Sequence, residues 1–151
     1  MVEVSDNITK TTYELNNIAI RGSIIPHNWY EKIVITTKKG TSKVDSIGIL
    51  LLARLIDWYQ LESVLDERSG MPIGYHKSFK EDKLQVTYTN LASHINVSKG
   101  QVMAAVKRLK SRGLITVEYR QLLNEDTRYP MSNVLCIEPV PESIRDLMYS
   151  V

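Results

Sequence analysis

The chain has 151 residues, with 19 Lys and Arg against 17 Asp and Glu, a formal net charge of +2, and a single cysteine, Cys136. Because 43% of the residues are hydrophobic and 24% are charged, the composition excludes a disordered or collagen-like chain and predicts one globular core with terminal extensions. One cysteine excludes an internal disulfide framework and a cysteine-based zinc site. Since there is no signal-peptide pattern and no apolar run of about 18–20 residues, we expect a cytoplasmic protein without membrane contact.

The positive charge is concentrated in one part of the sequence. Residues 84–117 contain no Asp or Glu but five basic residues, which are Lys99, Lys107, Arg108, Lys110 and Arg112. This window carries +5, and because the total is +2 the rest of the chain carries −3. Such a cluster is typical either of a solvated helix end, where cations complement the helix dipole, or of a surface that binds anions.

The N-terminal part, residues 1–41, is predicted to be an arm or extension. Its first 20 residues are polar with little periodicity, so we expect them to be loosely ordered. Pro26 is suited to the first turn of a short helix that presents Trp29 and Ile33 on one face. A loop is predicted over residues 38–42.

A long amphipathic helix is predicted over residues 43–65, with Asp45 or the preceding Ser42 at its start. Its apolar stripe recurs at intervals of three and four residues, at Ile47, Leu50, Leu51, Leu55 and Trp58. Because Leu52 and Ile56 widen this stripe, we expect other elements or a partner subunit to surround the helix. Residues 66–82 are predicted to be a long loop, and residues 84–88 alternate like a strand.

Two short helices separated by a turn are predicted next. Thr89 is a candidate N-cap for a helix that ends at Asn96. Ser98 and Gln101 then form the Ser-x-x-Gln pattern of a capping box, and Gly113 is placed to end the second helix in a left-handed conformation. Two strands over residues 114–119 and 133–138 follow, joined by a turn-rich segment, and a helix is predicted over residues 142–149.

This arrangement resembles the winged helix-turn-helix family. The resemblance rests on Thr89, Leu91, Ala92, Ile95, Val97, Ser98, Val102, Ala105, Val106, Leu109, Gly113, Leu114 and Ile115. In this pattern a small residue at 92 permits close helix approach, and Val97 fills the turn. The resemblance implies an α+β, mainly helical fold, with a winged helix-turn-helix domain over residues 42–138, the extension over residues 1–41 and a C-terminal helix over residues 139–151. A plain helical hairpin followed by a β-hairpin is the alternative.

The whole chain also resembles winged-helix modules of phages, plasmids and other mobile elements that act in replication initiation or regulation. The features that carry this likeness are Ile24, Ile25, Pro26 and Trp29, the pair Trp58 and Tyr59, and the pattern of Lys80, Asp82, Leu84, Gln85 and Tyr88. The expected function is therefore that of a transcriptional regulator or a replication-initiation factor. A homodimer is expected, because one such module reads few base pairs.

The family resemblance implies that the second helix enters the major groove of duplex DNA. Lys99 is then expected near a phosphate or guanine edge and Gln101 near adenine, while the later basic residues neutralise phosphates. The expected DNA-binding residues are Thr89, Ser98, Lys99, Gly100, Gln101, Met103, Ala104, Lys107, Arg108, Lys110, Arg112, Arg120 and Arg128.

Two features support a different class of function, an adaptor that binds a protein. Met103 and Ala104 are apolar where DNA readers often carry polar side chains, and Asn124, Glu125 and Asp126 make the predicted wing tip acidic. In this alternative the Met103–Ala104 face and the aromatic pair at Trp58 and Tyr59 grip the partner.

No enzyme activity, metal or cofactor is expected. The three histidines, at 27, 76 and 94, are far apart in the sequence and lack metal-binding spacing. The acidic residues at the end of the long helix are typical of a solvated face, although they could in principle hold Mg²⁺; they are Asp57, Glu62, Asp66 and Glu67. The buried or exposed face of Cys136 cannot be assigned from alternation, and a structural role is expected.

Overall fold

The computed structural model describes residues 7–123 and 130–149, with side chains described for residues 7–121 and 134–149. Within these ranges the chain is an α+β fold with six helices and three small antiparallel sheets. The elements in chain order are α1 (Lys10–Asn16), α2 (Trp29–Lys32), β1 (Val34–Thr36), β2 (Ser42–Val44), α3 (Ser46–Tyr59), β3 (Glu62–Leu65), β4 (Pro72–His76), β5 (Leu84–Val86), α4 (Tyr88–Ile95), α5 (Lys99–Ser111), β6 (Ile115–Leu123), β7 (Pro130–Pro139) and α6 (Pro141–Tyr149).

The core forms around α3, which the other elements surround as expected. Leu51, Leu52 and Leu55 on α3 are fully buried against α4, α5 and the three-stranded sheet, whose strands lie in the order β5-β7-β6. Leu50, assigned to the same stripe from the sequence, is 42% exposed instead. Ile49 and Ala53 are buried instead, so the buried face of α3 is turned away from Leu50.

The prediction of a helix over residues 43–65 is wrong at both ends. Residues 42–44 pair with β1 as the strand β2, and residues 62–65 pair with β4 as the strand β3. At the second site the Asp66 carboxylate accepts hydrogen bonds from the Arg68 N–H and the Ser69 hydroxyl, which closes a tight turn. The predicted long loop over residues 66–82 is therefore largely a β-hairpin, because local turn hydrogen bonds compete with helix continuation.

The N-terminal segment divides into an exposed and a buried part. Helix α1, which Thr9 caps, has no buried residue; its residues were expected to be loosely ordered. Trp29 and Ile33, in contrast, are 1% and 0% exposed and belong to the main core. Residues 26–33 therefore pack with the domain that was predicted to begin at residue 42, while the domain division itself stays a prediction.

The C-terminal helix α6 packs against the core through partly buried apolar side chains. The backbone N–H of Val140 donates to Leu114 O at 2.9 Å, and the Asn28 amide donates to Leu147 O at 3.0 Å. Cys136 is 1% exposed and lies on the opposite face of β7 from Leu135 and Ile137, opposite Gln85 and Glu118 in the neighbouring strands. Burial raises the pKa of its thiol, in keeping with a structural role.

Candidate nucleic-acid interface

Helices α4 and α5 are joined by a short turn, and hydrogen bonds fix the backbone at both ends of α4. Thr87, not Thr89, is the N-cap of α4, because its side chain accepts a hydrogen bond from the Asn90 N–H at 3.0 Å. Thr89 lies in the first turn and is exposed. At the other end Asn96 adopts a left-handed conformation (φ 54°), and the Val97 N–H donates to Ala92 O. The predicted start of α4 was two residues late, because both threonines are suited to cap a helix.

The capping box predicted for α5 is confirmed. The Gln101 N–H donates to Ser98 Oγ at 3.1 Å, and the Ser98 N–H donates to Gln101 Oε1 at 3.0 Å. The oxygen of Gln101 is therefore engaged inside the helix, which is unfavourable for the bidentate contact to adenine expected from the sequence. Gly113 has φ +73° and ends the helix as predicted, because that conformation is strained for a residue with a Cβ atom.

Helix α5 has one buried and one exposed face. Val102, Ala105, Val106 and Leu109 pack into the core. The exposed residues on the rest of the helix are Lys99, Gly100, Gln101, Met103, Ala104, Lys107, Lys110 and Ser111. All of the DNA-contact candidates on α5 except Arg108 thus lie at the surface.

Arg108 is bound to a carboxylate of the protein instead. Its Nε and Nη2 donate to the two carboxylate oxygens of Asp45 at 2.8 and 2.9 Å, and the Asp45 side chain is 1% exposed. The same carboxylate accepts the Gly48 N–H at 2.9 Å, which makes Asp45 the N-cap of α3. This geometry does not favour the expected phosphate contact by Arg108, because two of its donors are engaged by a buried carboxylate; the contact itself stays a prediction.

The electrostatics of this contact favour the charged pair. Burial raises the pKa of the Asp45 carboxyl, but hydrogen bonds from Arg108 and the Gly48 N–H outweigh it, so the net pKa lies below its usual range. Gly48 is required by the close approach: a Cβ there would lie 2.6 Å from Asp45 Oδ2. The pair fixes the N-terminus of α3 against the C-terminal half of α5.

Arg112, the last basic residue of the cluster, also has a partner. Its guanidinium donates to the backbone oxygen of Val34 in β1. Together, Arg108 and Arg112 tie one flank of α5 to α3 and to the β1–β2 hairpin. Their charges were correctly located in the sequence, but their role as phosphate ligands is not supported by these contacts.

Lys107 and Lys110 lie on the other flank of α5, and Lys99 lies at its first turn. All three are exposed, and none forms an ion pair with any described residue. Lys107 and Lys110 line a groove of about 240 Å³ together with Tyr88 from the start of α4 and Tyr119 from β6. The two tyrosine hydroxyls are hydrogen bonded at 2.7 Å. Neither tyrosine was among the DNA-binding residues expected from the sequence, although Tyr88 lies inside the acid-free window of residues 84–117 and Tyr119 lies just beyond it.

The base of the β6–β7 hairpin is not a free basic surface. Arg120 donates to both carboxylate oxygens of Asp82, at 2.7 and 2.9 Å, and also pairs with Glu118. The hydrogen bond from Arg120 lowers the pKa of Asp82 to about 2. These ion pairs do not favour the expected phosphate contact by Arg120, which stays a prediction. Arg128 and the acidic residues at 124–126 lie outside the described residues.

The surface expected to grip a protein is only partly present. Met103 is 46% exposed and Ala104 is exposed. Trp58 and Tyr59 are occupied within the fold: Trp58 stacks edge-on against His94 with ring centroids 4.8 Å apart, and the Tyr59 hydroxyl donates to Ile137 O and accepts the Leu84 N–H. The adaptor alternative stays a prediction, and of its two surfaces the Met103–Ala104 face is the more exposed.

The described residues include no candidate metal site and no candidate membrane-spanning helix. Within the described ranges, no group of three or more His, Cys, Asp or Glu residues is arranged to hold a metal ion. Asp57, from the acidic group at the end of α3, pairs with Arg54 at 3.3 Å. No helix in residues 7–123 or 130–149 is both long enough and apolar enough to cross a membrane.

Comparisons with known proteins return no match, whether the chain is scanned against protein-family models or searched against curated proteins or solved structures.

Proposed function

We propose that the protein binds double-stranded DNA through α5 and acts as a transcriptional regulator or a replication-initiation factor. The proposal includes a winged helix-turn-helix fold, in which α4 and α5 are the two helices of the motif and β6 and β7 are the strands of the wing. The observation that carries the proposal is that Lys99, Lys107 and Lys110 are exposed on one capped helix without an ion-pair partner among the described residues.

The dimensions and rigidity of α5 suit this role. Its 13 residues correspond to a length of about 20 Å, and an α-helix fits within the major groove, which is about 12 Å wide. The capping box at one end and the Arg108–Asp45 pair near the other hold the helix in one orientation. A rigid helix reaches the phosphates without losing much conformational freedom on binding.

The proposed ligand follows from the sign of the free charge. Exposed lysines favour a polyanion, and duplex DNA carries one negative charge per about 1.7 Å of axis. Met103 and Ala104, between the lysines, are suited to contact thymine methyl groups. Gln101 is assigned a structural role here, in contrast to the base-reading role expected from the sequence.

A homodimer remains part of the proposal. The segment before α2 exposes six large apolar side chains, at Ile8, Tyr13, Leu15, Ile18, Ile20 and Ile24. A second copy would supply the additional DNA contacts that one module lacks. A palindromic binding site is the expected sign of such a dimer.

The deciding experiment is selection of bound sequences from random duplexes, followed by fluorescence anisotropy of a selected 30-base-pair duplex at 50–200 mM salt. Lys107→Ala and Lys110→Ala are each expected to weaken binding and to reduce the slope of log K against log salt by about 0.9. Lys80→Ala is the matched control, because Lys80 is exposed and lies outside α5. If no duplex binds at 50 mM salt, the proposal is wrong and the adaptor hypothesis takes its place.

A further inference from the structure

The groove between α5 and β6 contains a pair of tyrosines whose hydrogen bonding is incomplete. Tyr88 and Tyr119 share one hydrogen bond of 2.7 Å between their hydroxyl oxygens. Two hydroxyls carry two protons, and this bond uses one of them. The second proton is not used by any other hydrogen bond that the structure describes for these side chains, so the pair has one O–H left to donate.

The surroundings of that free donor are apolar on one side and cationic on the other. Met103, Val106 and Val117 line the groove with the tyrosines, whereas Lys107 and Lys110 supply its charge. Among the described residues, no Asp or Glu lines it. Glu118, next to Tyr119, points to the opposite face of β6, where it pairs with Lys83 and Arg120.

We propose that this groove binds the sugar-phosphate backbone of one DNA strand, with the tyrosine pair donating a hydrogen bond to a phosphate oxygen. This inference rests on the proposed DNA-binding function and names a site within it. The deoxyribose packs on the apolar side chains, and the two lysines balance the phosphate charge. An anionic occupant is favoured over a neutral one because two cations and no carboxylate are among the described residues that line the groove.

The pairing strengthens the donor. A hydroxyl that accepts a hydrogen bond becomes a better donor itself, because the two bonds polarise each other. Burial and the hydrogen bond with Tyr119 raise the pKa of Tyr88 to about 12, so its hydroxyl keeps its proton at neutral pH. Tyr119 is 57% exposed, which leaves the pair accessible to a strand.

The test is a double variant that combines Tyr88→Phe and Tyr119→Phe. Its affinity for the selected 30-base-pair duplex is compared with that of the wild-type protein by fluorescence anisotropy. Phenylalanine keeps both rings and removes both donors. A hydrogen bond to a charged phosphate is expected to be lost, so affinity falls about tenfold. The salt slope stays unchanged, because no cation is removed. Each single variant retains one hydroxyl and is expected to lose less.

Tyr75→Phe is the control, since Tyr75 is an exposed tyrosine on β4 outside the groove. The inference is overturned if the double variant binds within twofold of the wild-type protein while Lys107→Ala still weakens binding; the proposed function then stands. It is also overturned if the double variant loses about one unit of salt slope, because the groove has then rearranged. If an oligoglutamate peptide displaces the duplex at equal charge concentration, the site recognises carboxylates and not phosphates. Failure of the wild-type protein to bind any duplex removes the proposed function and this site together.

Discussion

The C-terminal half of helix α5 and its C-cap residue, Arg112, carry two pairs of neighbouring cations that the fold uses in different ways. Arg108 and Arg112 are bound to Asp45 and to the backbone oxygen of Val34. Lys107 and Lys110, one or two residues away, line an open groove and have no ion-pair partner in the described part of the chain. The positive charge at this end of α5 therefore has two uses. The two arginines hold the helix in place, and the two lysines are available to a ligand. Arginine, with its planar fork of donors, is suited to the first role.

The largest expected effect comes from removing the acceptor on the arginine flank. Asp45→Ala deletes both the α3 N-cap and the partner of Arg108, and the loss in free energy of unfolding is expected to be about 4 kcal/mol. Urea denaturation followed by circular dichroism measures it. Asp57→Ala is the control, because that carboxylate is 40% exposed and pairs with Arg54 on the same helix; a change within about 0.5 kcal/mol is expected there. Equal losses in the two variants would contradict the special position of Asp45.

Removing the donor separates the two flanks directly. Arg108→Ala leaves the Asp45 carboxylate buried without its charge partner, and about 3 kcal/mol of stability is expected to be lost. The salt slope of DNA binding, measured where the variant is still folded, is expected to stay at the wild-type value. Lys107→Ala should show the reverse, an unchanged urea midpoint with a reduced slope. A reduced slope for Arg108→Ala would mean that the arginine leaves Asp45 when DNA binds.

A third variant tests how closely the Asp45 site is packed. Gly48→Ala would ordinarily stabilise a helix by about 1 kcal/mol, but its Cβ lies 2.6 Å from Asp45 Oδ2, so a net loss of about 2 kcal/mol is expected. Gly100→Ala on α5 is the matched control, because nothing lies within 4 Å of a Cβ there, and that variant is expected to be slightly more stable. Thermal unfolding of both variants makes the comparison. A stabilised Gly48→Ala variant would show that the carboxylate can move without cost.

The smallest expected effect is in the pH dependence. The pKa of Asp45 is lowered in the folded state, so the stability that it contributes is fully present above the unfolded value of about 3.9 and is lost as the pH falls through the lower folded value. Asp45→Asn keeps a side-chain oxygen for the cap but cannot ionise. Its unfolding free energy is expected to vary less between pH 5 and pH 2 than that of the wild-type protein. Parallel curves for the two proteins would contradict the lowered pKa.

The elements that depend on short-range sequence patterns were predictable from the sequence. The box of Ser98 and Gln101, the end of α5 at Gly113 and the strand β5 depend on residues within a few positions of one another, where capping and alternation are decisive. The start of α4 was misplaced because two threonines compete for the cap. The extent of α3 was overestimated because residues 62–65 fit a helical pattern yet pair with β4.

The division of charge on α5 was not predictable in the same way. Asp45 and Arg108 are 63 residues apart in the chain, and only the packing of α3 against α5 brings them together. The sequence marked Asp45 as a possible cap and Arg108 as part of a basic cluster, without a reason to join them. Tyr88 and Tyr119 are likewise 31 residues apart. Contacts across elements depend on tertiary packing, which local pattern does not determine.

The burial of Cys136 has a practical consequence for measuring this fold. It is the only thiol in the chain, it is 1% exposed, and it lies in β7, which pairs with both β5 and β6. A thiol reagent therefore reacts with the native protein only when the middle strand of the sheet becomes accessible. The rate of alkylation, compared with that of the unfolded chain, gives the free energy of that opening in the unmodified protein. Repeating the measurement with bound DNA would report whether the ligand closes the sheet as well as occupying α5.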